Sequence, residues 1–302
     1  MLGSPTLKTR GAVGDYLLLT LQQLIGSSTH LVAKRVVSQL SPELSLFWRS
    51  LIAALSSTAW LVYQNHRTGM LHRLPLRKAA LLLVLGLLAV PLNQWCFLAG
   101  VRLSTAANAS LMYALTPVWT LLLSSLLHQE RITALKLIGI LLAVGGVLLV
   151  LWEETPLSSS PTTLGNWLLL SASWAWALYT VLSQRVAVQL GALKTTALSM
   201  VLGWVLYLPL WAALGAELGL ELLSPSLVLE LLYMGVVTSG VGYLLWVVVL
   251  QRLEASKVAV FATLQPVLTT IAAIPLFGFV PTLPFLLGGI AILAGMLLTQ
   301  LG

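Results

Sequence analysis

The sequence predicts an all-α integral membrane protein: ten transmembrane helices as two inverted five-helix repeats, with both termini cytoplasmic. Three observations carry that expectation. Hydrophobic residues make up 58% of the 302 and charged residues 8%, where a soluble domain carries roughly 25% charge. So much apolar surface cannot be hidden from water in one globule, so the solvent has to be lipid. Apolar stretches of about 20 residues, enough to cross a hydrocarbon core, recur along the whole chain. Finally, the chain echoes itself. The stretch TAANASLMYALTPVWTLLLSSLLHQERIT, residues 105–133, returns as EASKVAVFATLQPVLTTIAAIPLFGFVPT, residues 254–282, with Pro117 and Pro266 149 positions apart.

In chain order, residues 1–15 read as a cytoplasmic N-terminus carrying Lys8 and Arg10. The first apolar run, 16–37, is too long for a signal-peptide core and lacks a clear small-residue cleavage site, so it reads as a retained span. Spans 44–63, 79–101, 105–127 and 134–151 complete a first repeat over 16–151. An external linker, 152–163, leads to a second repeat over 164–301, with spans 164–186, 195–214, 227–250, 255–277 and 283–301. Short loops make neighbouring helices antiparallel. Gly, Pro and Ser inside the spans do not argue against them, because neighbouring helices satisfy the backbone groups they free.

The net charge of +7 would point to nucleic acid in a soluble chain, but here it reads as topology, with no nucleic-acid partner. With the N-terminus inside, Lys8, Arg10, Arg67, Arg73, Arg77, Lys78, Arg131, Lys136, Arg185, Lys194, Arg252 and Lys257 all fall on the cytoplasmic side. Only Lys34, Arg35 and Arg102 fall near the other, and Arg49 lies within the second span. Twelve against three is a decisive bias under the positive-inside rule, and it places the chain as a multi-pass protein of the cell (inner or plasma) membrane. Cys96 is the only cysteine, so no intrachain disulfide forms. Neither a metal site nor a cofactor is expected.

A shift of 149 superimposes further features. Gly86 meets Gly235, Gly139 meets Gly288 and Gly146 meets Gly295, while at the start of each half an offset of 150 brings Arg35 onto Arg185. Five spans is an odd number, so the two copies face opposite ways in the bilayer. Inverted repeats of this kind mark secondary transporters, which bind substrate near the midplane where the repeats meet.

The order Lys34-Arg35, Ser41-Pro42, Arg49, Pro117-Val118, Glu130-Arg131, followed by Trp174-Ala175, Gly235, Tyr243 and Pro266-Val267, resembles the EamA family of the drug/metabolite transporter superfamily over almost the whole chain. The resemblance implies a ten-helix carrier of small metabolites such as amino acids, many members being exporters, with both termini cytoplasmic. One departure stands out: Glu130 and Arg131 map onto Phe279 and Val280 in the second half.

Polar side chains within spans nominate a substrate cavity. Gln23, Ser27, His30 and Lys34 recur at spacings of 4, 3 and 4, one face of the first helix. The repeat offset carries that face to Ser173, Ala177, Thr180 and Gln184. Interhelical hydrogen bonding, worth about 0.6 to 2 kcal/mol per contact, is the competing reading for both. The eighth span adds Ser239, Tyr243 and Trp246, and the third adds Asn93, Gln94 and Trp95 just after Pro91. Asn108, Tyr113, Thr263 and Gln265 are further candidates, and Trp176 is one of the deep aromatics suited to an apolar or aromatic substrate. Each proline frees a backbone carbonyl, that of Leu87 for Pro91, Tyr113 for Pro117 and Ala262 for Pro266. A kink is the preferred reading of each over ligand contact. Together with Glu130-Arg131 at the inner mouth and Phe279 at the outer, these prolines are candidate gate elements, polar inside and apolar outside.

Arg49 reads first as snorkelling outward or pairing with Glu43, and second as holding a carboxylate. The faces Gly139–Ala143–Gly146 and Gly288–Ala291–Gly295 suit close helix packing, between the fifth and tenth spans or in a homodimer. No carboxylate falls mid-span, so coupling is expected by facilitated diffusion, exchange or His30 rather than by a carboxylate relay. An enzyme is not expected. HExxH is missing, a buried Asp pair is missing, and a Ser239–His30 dyad has no glycine-framed nucleophile motif. No GxxxxGK[ST] loop supports ATP coupling. An intramembrane hydrolase and a non-transporting scaffold remain the alternatives.

Overall fold

The structure, a computed structural model, describes residues 12–68, 76–127, 133–152, 161–214 and 218–301. Among these residues there is no strand. The chain runs through α1 (Ala12–Gln39), α2 (Pro42–Thr68), α3 (Leu76–Leu87), a π segment (Leu88–Gln94), α4 (Trp95–Leu103), α5 (Ala106–Tyr113), α6 (Thr116–Leu126) and α7 (Ala134–Trp152). It continues through α8 (Pro161–Leu190), α9 (Ala192–Ala213), α10 (Pro225–Leu232), a second π segment (Tyr233–Gly242), α11 (Tyr243–Leu250), α12 (Ala255–Ala259), a 3₁₀ turn (Val260–Thr263), α13 (Leu264–Phe277) and α14 (Leu283–Leu301).

Among the described residues, six helical runs are long and apolar enough to cross a membrane: Pro42–Gln64, Lys78–Leu103, Ala106–Leu126, Ala192–Ala213, Pro225–Leu250 and Ala255–Phe277. Ala134–Gly146 and Leu283–Leu298 are shorter apolar helices. At 28 and 30 residues, α1 and α8 have the length but carry buried polar groups, Gln22, Gln23, Ser27, Thr29 and His30 on one, Asn166, Ser173, Thr180 and Ser183 on the other. On the opposite face of α1, Leu17, Leu21 and Leu24 are exposed. Apolar outside and polar inside is the inverse of a soluble bundle and fits a lipid solvent.

Local chemistry sets the helix ends. Ser41 caps α2, its Oγ accepting from Leu44 N–H at 3.2 Å, with Pro42 at the first helical position, where a missing N–H costs nothing. Thr133 and Thr282, 149 positions apart, cap α7 and α14 through Lys136 N–H and Phe285 N–H. At the end of α13, Gly278 adopts φ 63°, the left-handed conformation that glycine enters without a Cβ penalty. Gly278 N–H then reaches Ile274 O at 3.0 Å, the single bond of an αL cap.

The expected proline kinks are relocated. Residues 105–127 do not form one bent helix: the chain turns at Ala114–Leu115, and Pro117 sits in the first turn of α6. The Tyr113 carbonyl, expected to be free, accepts the Thr116 hydroxyl at 2.7 Å. Pro266 likewise lies in the first turn of α13, behind the 3₁₀ turn. Pro91 lies inside the first π segment, whose wider winding tolerates a residue with no N–H to donate.

The packing is nearly its own image under the 149-residue shift. The first π segment and α3 lie on α9, and the second π segment lies on α2; α1 lies along α13, and α6 along α8. Backbones nearly touch where glycines allow it. A Cβ on Gly86 would sit 2.8 Å from Gly203 N, and one on Gly235 would sit 2.5 Å from an Ile52 methyl. The closest pair is α7 with α14, where a Cβ on Gly146 would lie 2.6 Å from Gly288 O. These glycine faces therefore meet each other within the chain. Two ion pairs pin the ends of α1 to later elements: Asp15 to Arg252 at 2.5 Å and Arg35 to Glu230 at 3.0 Å.

Candidate binding cavity

A cavity of about 60 Å³ lies deep in the bundle, against both π segments. One wall is polar and comes from α1, with Gln22, Thr29 and His30, joined by Thr238 and Gln265. The facing wall is aromatic, with Phe97, Tyr113, Trp176 and Tyr243, and Asn93 and Arg49 complete the lining. Gly26 allows the polar wall to close up, since a Cβ there would lie 2.6 Å from Gln265 Nε2.

Most of the polar wall is one chain of hydrogen bonds, with a separate threonine pair beside it. Gln265 Nε2 donates to Gln23 Oε1 at 2.7 Å, and Gln23 Nε2 donates to Gln22 Oε1 at 2.5 Å. With that amide orientation Gln265 Oε1 is an acceptor, so His30 Nε2, 2.9 Å away, carries the ring proton. His30 Nδ1 is then a bare acceptor, and it is buried without a partner. Thr29 meets Thr238 at 3.0 Å.

The aromatic wall is held by Asn93. Its Nδ2 donates to Tyr113 Oη at 2.7 Å and to Ala172 O at 2.8 Å, and its Oδ1 accepts from Tyr243 Oη at 3.0 Å. Gln94 and Tyr243, equivalent positions 149 apart, meet each other at 3.4 Å. The His30 ring stands edge-on to Phe97 and Tyr113, with centroids at 5.3 and 5.4 Å. Trp176 stands edge-on to Tyr243 at 4.7 Å.

Arg49 overturns its preferred reading. It is 3% exposed, so it does not snorkel. Nor does it pair with Glu43, which lies six residues back on α2, about 9 Å along the axis and well round the helix. Its Nε donates to Ser239 Oγ at 2.9 Å and its Cζ lies 5.9 Å from the Phe97 centroid. Its Nη1 is buried with no acceptor. No Asp or Glu among the described residues lines the cavity.

Of the residues nominated from sequence, His30, Asn93, Tyr113, Trp176, Tyr243 and Gln265 line this cavity. A second group stands one layer behind it. Gln23 and Ser239 hold Gln265 and Arg49, Gln94 bears on Tyr243, and Ser27 O accepts from Thr269 at 3.3 Å. Trp246 donates to Thr180 Oγ1 at 3.0 Å beneath Trp176. A third group does not reach it. The Lys34 ammonium caps the end of α4, bonding Val101 O at 2.9 Å, Arg102 O and Ser104 O, the role a cation plays at a helix C-terminus. Asn108 joins Ser104 and Asn166 in a separate cluster. Trp95 and Thr263 are not among the lining residues. Glu130 and Arg131 lie outside the described residues. Phe279 packs edge-on to Phe285 at 5.2 Å, just past the Gly278 turn.

Sequence reasoning missed Gln22, Gly26, Thr29, Phe97 and Thr238. The α1 face toward the cavity runs through Gln22, Gly26 and Thr29 with His30 at its edge, one position off the stripe through Gln23 and Ser27. Both Gln22 and Thr29 were visible as polar residues, but a helix face about 100° wide does not say which edge opens onto a void.

The profile of the EamA-like transporter family matches the chain twice, over residues 14–152 and 163–301. An uncharacterized transporter from Archaeoglobus fulgidus is 28% identical over 94% of this chain and 96% of its own length. The uncharacterized transporter YyaM of Bacillus subtilis is 27% identical over 85% and 84%. A protein from Salmonella typhimurium named "probable amino-acid metabolite efflux pump" is 28% identical over 74% of this chain and 78% of its own. A solved crystal structure superimposes with a TM-score of 0.69 at 19% identity, covering 95% and 96% of the two chains, a likeness of fold.

Proposed function

Because the chain belongs to the EamA-like transporter family, a group of membrane transporters rather than enzymes, we propose that it is a secondary transporter that exports small metabolites, amino acids among them, by alternating access. The observation that carries this reading is the cavity. It is deep, it is polar on one wall and aromatic on the other, and it draws Arg49, His30 and Asn93 from the first half and Thr238, Tyr243 and Gln265 from the second. A site shared by two repeats is opened to either side by rocking one against the other. The relative named as an amino-acid metabolite efflux pump supports small, polar-headed cargo, and the aromatic wall supports an apolar or aromatic body.

The topology proposed with it is ten spans in two inverted repeats, 16–151 and 164–301, both termini cytoplasmic, in the cell membrane. The twelve-to-three distribution of Lys and Arg supports it. The lipid bilayer and a small-molecule substrate are the partners.

The test is flux. The purified full chain in sealed proteoliposomes is loaded with a panel of amino acids and related metabolites, and efflux is followed against protein-free vesicles. Saturable efflux of at least one compound, lowered by Asn93→Ala, is the expected result. Linear, protein-independent leak for every compound, from protein that still binds one of them, would leave a binding or scaffolding role instead.

A further inference from the structure

Among the described residues, Arg49 is the one formally charged side chain lining the cavity, and it is not neutralised there. Its Nε donates to the neutral Ser239, its Nη1 is buried without an acceptor, and no carboxylate among the described residues lines the walls. A buried charge without a partner is among the more costly arrangements in a protein, most of all inside a membrane. A planar guanidinium with free N–H groups matches a carboxylate. We propose that Arg49 anchors the carboxylate of a net-anionic organic acid with an apolar or aromatic body, so that anions and not zwitterions are the preferred cargo.

The case against a zwitterion is the missing countercharge: no carboxylate among the described residues faces the cavity. The amide oxygens of Asn93, Gln22 and Gln265 each already accept one hydrogen bond, from Tyr243, Gln23 and His30. A lining acceptor with no partner is His30 Nδ1, a single neutral atom that suits a hydroxyl donor. An acid bearing a hydroxyl beside its carboxylate would therefore use both unpartnered atoms. His30 and Arg49 both bear on the ring of Phe97, at 5.3 Å and 5.9 Å, so the two anchors flank one aromatic surface. With an anion bound, the occupied cavity is neutral. With a zwitterion bound, Arg49 still leaves it with one positive charge. This inference rests on the carrier reading for one further consequence. Each monoanion moved outward carries one negative charge, so an inside-negative membrane potential drives export with no titrating carboxylate in the path, on the order of tenfold in gradient per 60 mV.

The experiment compares three probes that share one ring and differ in charge: phenyllactate, phenylalanine and phenethylamine. Binding to the full chain in detergent is read by tryptophan fluorescence and by calorimetry. Phenyllactate should bind about tenfold or more tightly than phenylalanine, as expected for one hydrogen-bonded charge pair, and phenethylamine should bind least. Arg49→Gln should weaken phenyllactate by about tenfold or more and phenylalanine by less, and Arg49→Lys should recover part of the loss. In proteoliposomes, a potassium–valinomycin potential, negative inside, should raise phenyllactate efflux. Phenylalanine binding as tightly as phenyllactate, no binding of any probe, or a folded Arg49→Gln protein that binds phenyllactate normally would overturn the proposal. If Arg49→Gln does not fold, the wild-type charge series decides alone. Ordered binding without saturable flux would keep the anchor and remove the carrier; saturable phenylalanine flux indifferent to Arg49→Gln would do the reverse.

Discussion

The two halves of the chain share a backbone plan and differ in what they put at its centre. In the first half, α1 and α2 turn Gln22, Thr29, His30 and Arg49 toward the cavity. In the second half, α8 and α11 present Trp176 and Tyr243 to the same cavity, with Tyr179 and Trp246 packed densely behind them. Trp176 stacks on Tyr179 with centroids at 5.5 Å, Tyr179 meets Tyr243 at 5.5 Å, and Tyr179 and Trp246 are fully buried. The residue matching Arg49 is Leu198. The duplicated backbone is thus lined unequally, with more polar groups from the first half and a cluster of packed aromatic rings from the second. Pseudo-symmetry governs the backbone, and the binding chemistry is carried by its departures.

The comparison can be broken most severely in the aromatic half. Removing the Trp246 indole should cost about 3–5 kcal/mol of stability, read as a large drop in melting temperature in detergent. Trp246→Ala protein that melts normally but loses binding would mean that this residue serves the site and not the packing. A smaller effect is expected in the polar half. In Gly26→Val, a branched side chain would meet the end of Gln265, a flexible group that can give way, so overpacking should cost about 1–3 kcal/mol. Displacing Gln265 breaks its bonds to Gln23 and His30, so ligand affinity should fall with most of the fold retained. Unchanged affinity would show that the polar wall does not contact cargo.

The smallest effects come from a pair of caps that sharpen the comparison. Lys34 closes the end of α4, and Gln184, 150 positions on, closes the end of α11 by donating to Leu250 O and Leu253 O at 3.0 and 2.8 Å. Lys34→Met should destabilise by roughly 1–2 kcal/mol, a charged group on helix carbonyls, and Gln184→Met by about 1 kcal/mol, a neutral one. Thermal melts of the two variants test that order. A loss of transport in Lys34→Met without a stability change would return Lys34 to the cavity.

Those caps also show where sequence reading stops. The membrane class and polar α1 were legible from composition and spacing, because burial of polar groups in lipid leaves a periodic signature. Six of the lining residues were legible for the same reason. The role of Lys34 was not, since a cation at a span's end reads alike whether it faces a cavity or a neighbouring helix terminus. The orientation of Arg49 was hidden more deeply. Its partners, Ser239 and Phe97, come from elements 190 and 48 positions away, and nothing local to α2 indicates which face they cover. The helix breaks at Ala114 and at the 3₁₀ turn were displaced from their prolines because proline is most at ease in a first turn.

The two π segments have a mechanical consequence. A π turn stores one residue more than an α turn. Converting one to α geometry advances everything beyond it by about 1.5 Å and rotates it by about 100°. The backbone needs no unpaired stretch to do so, only a reassignment of hydrogen-bond partners. Gln94 closes the first segment and Tyr243 follows the second, and the two side chains touch across the bundle. A slip in either segment would move one partner of that contact, and with it the Tyr243 ring of the aromatic wall.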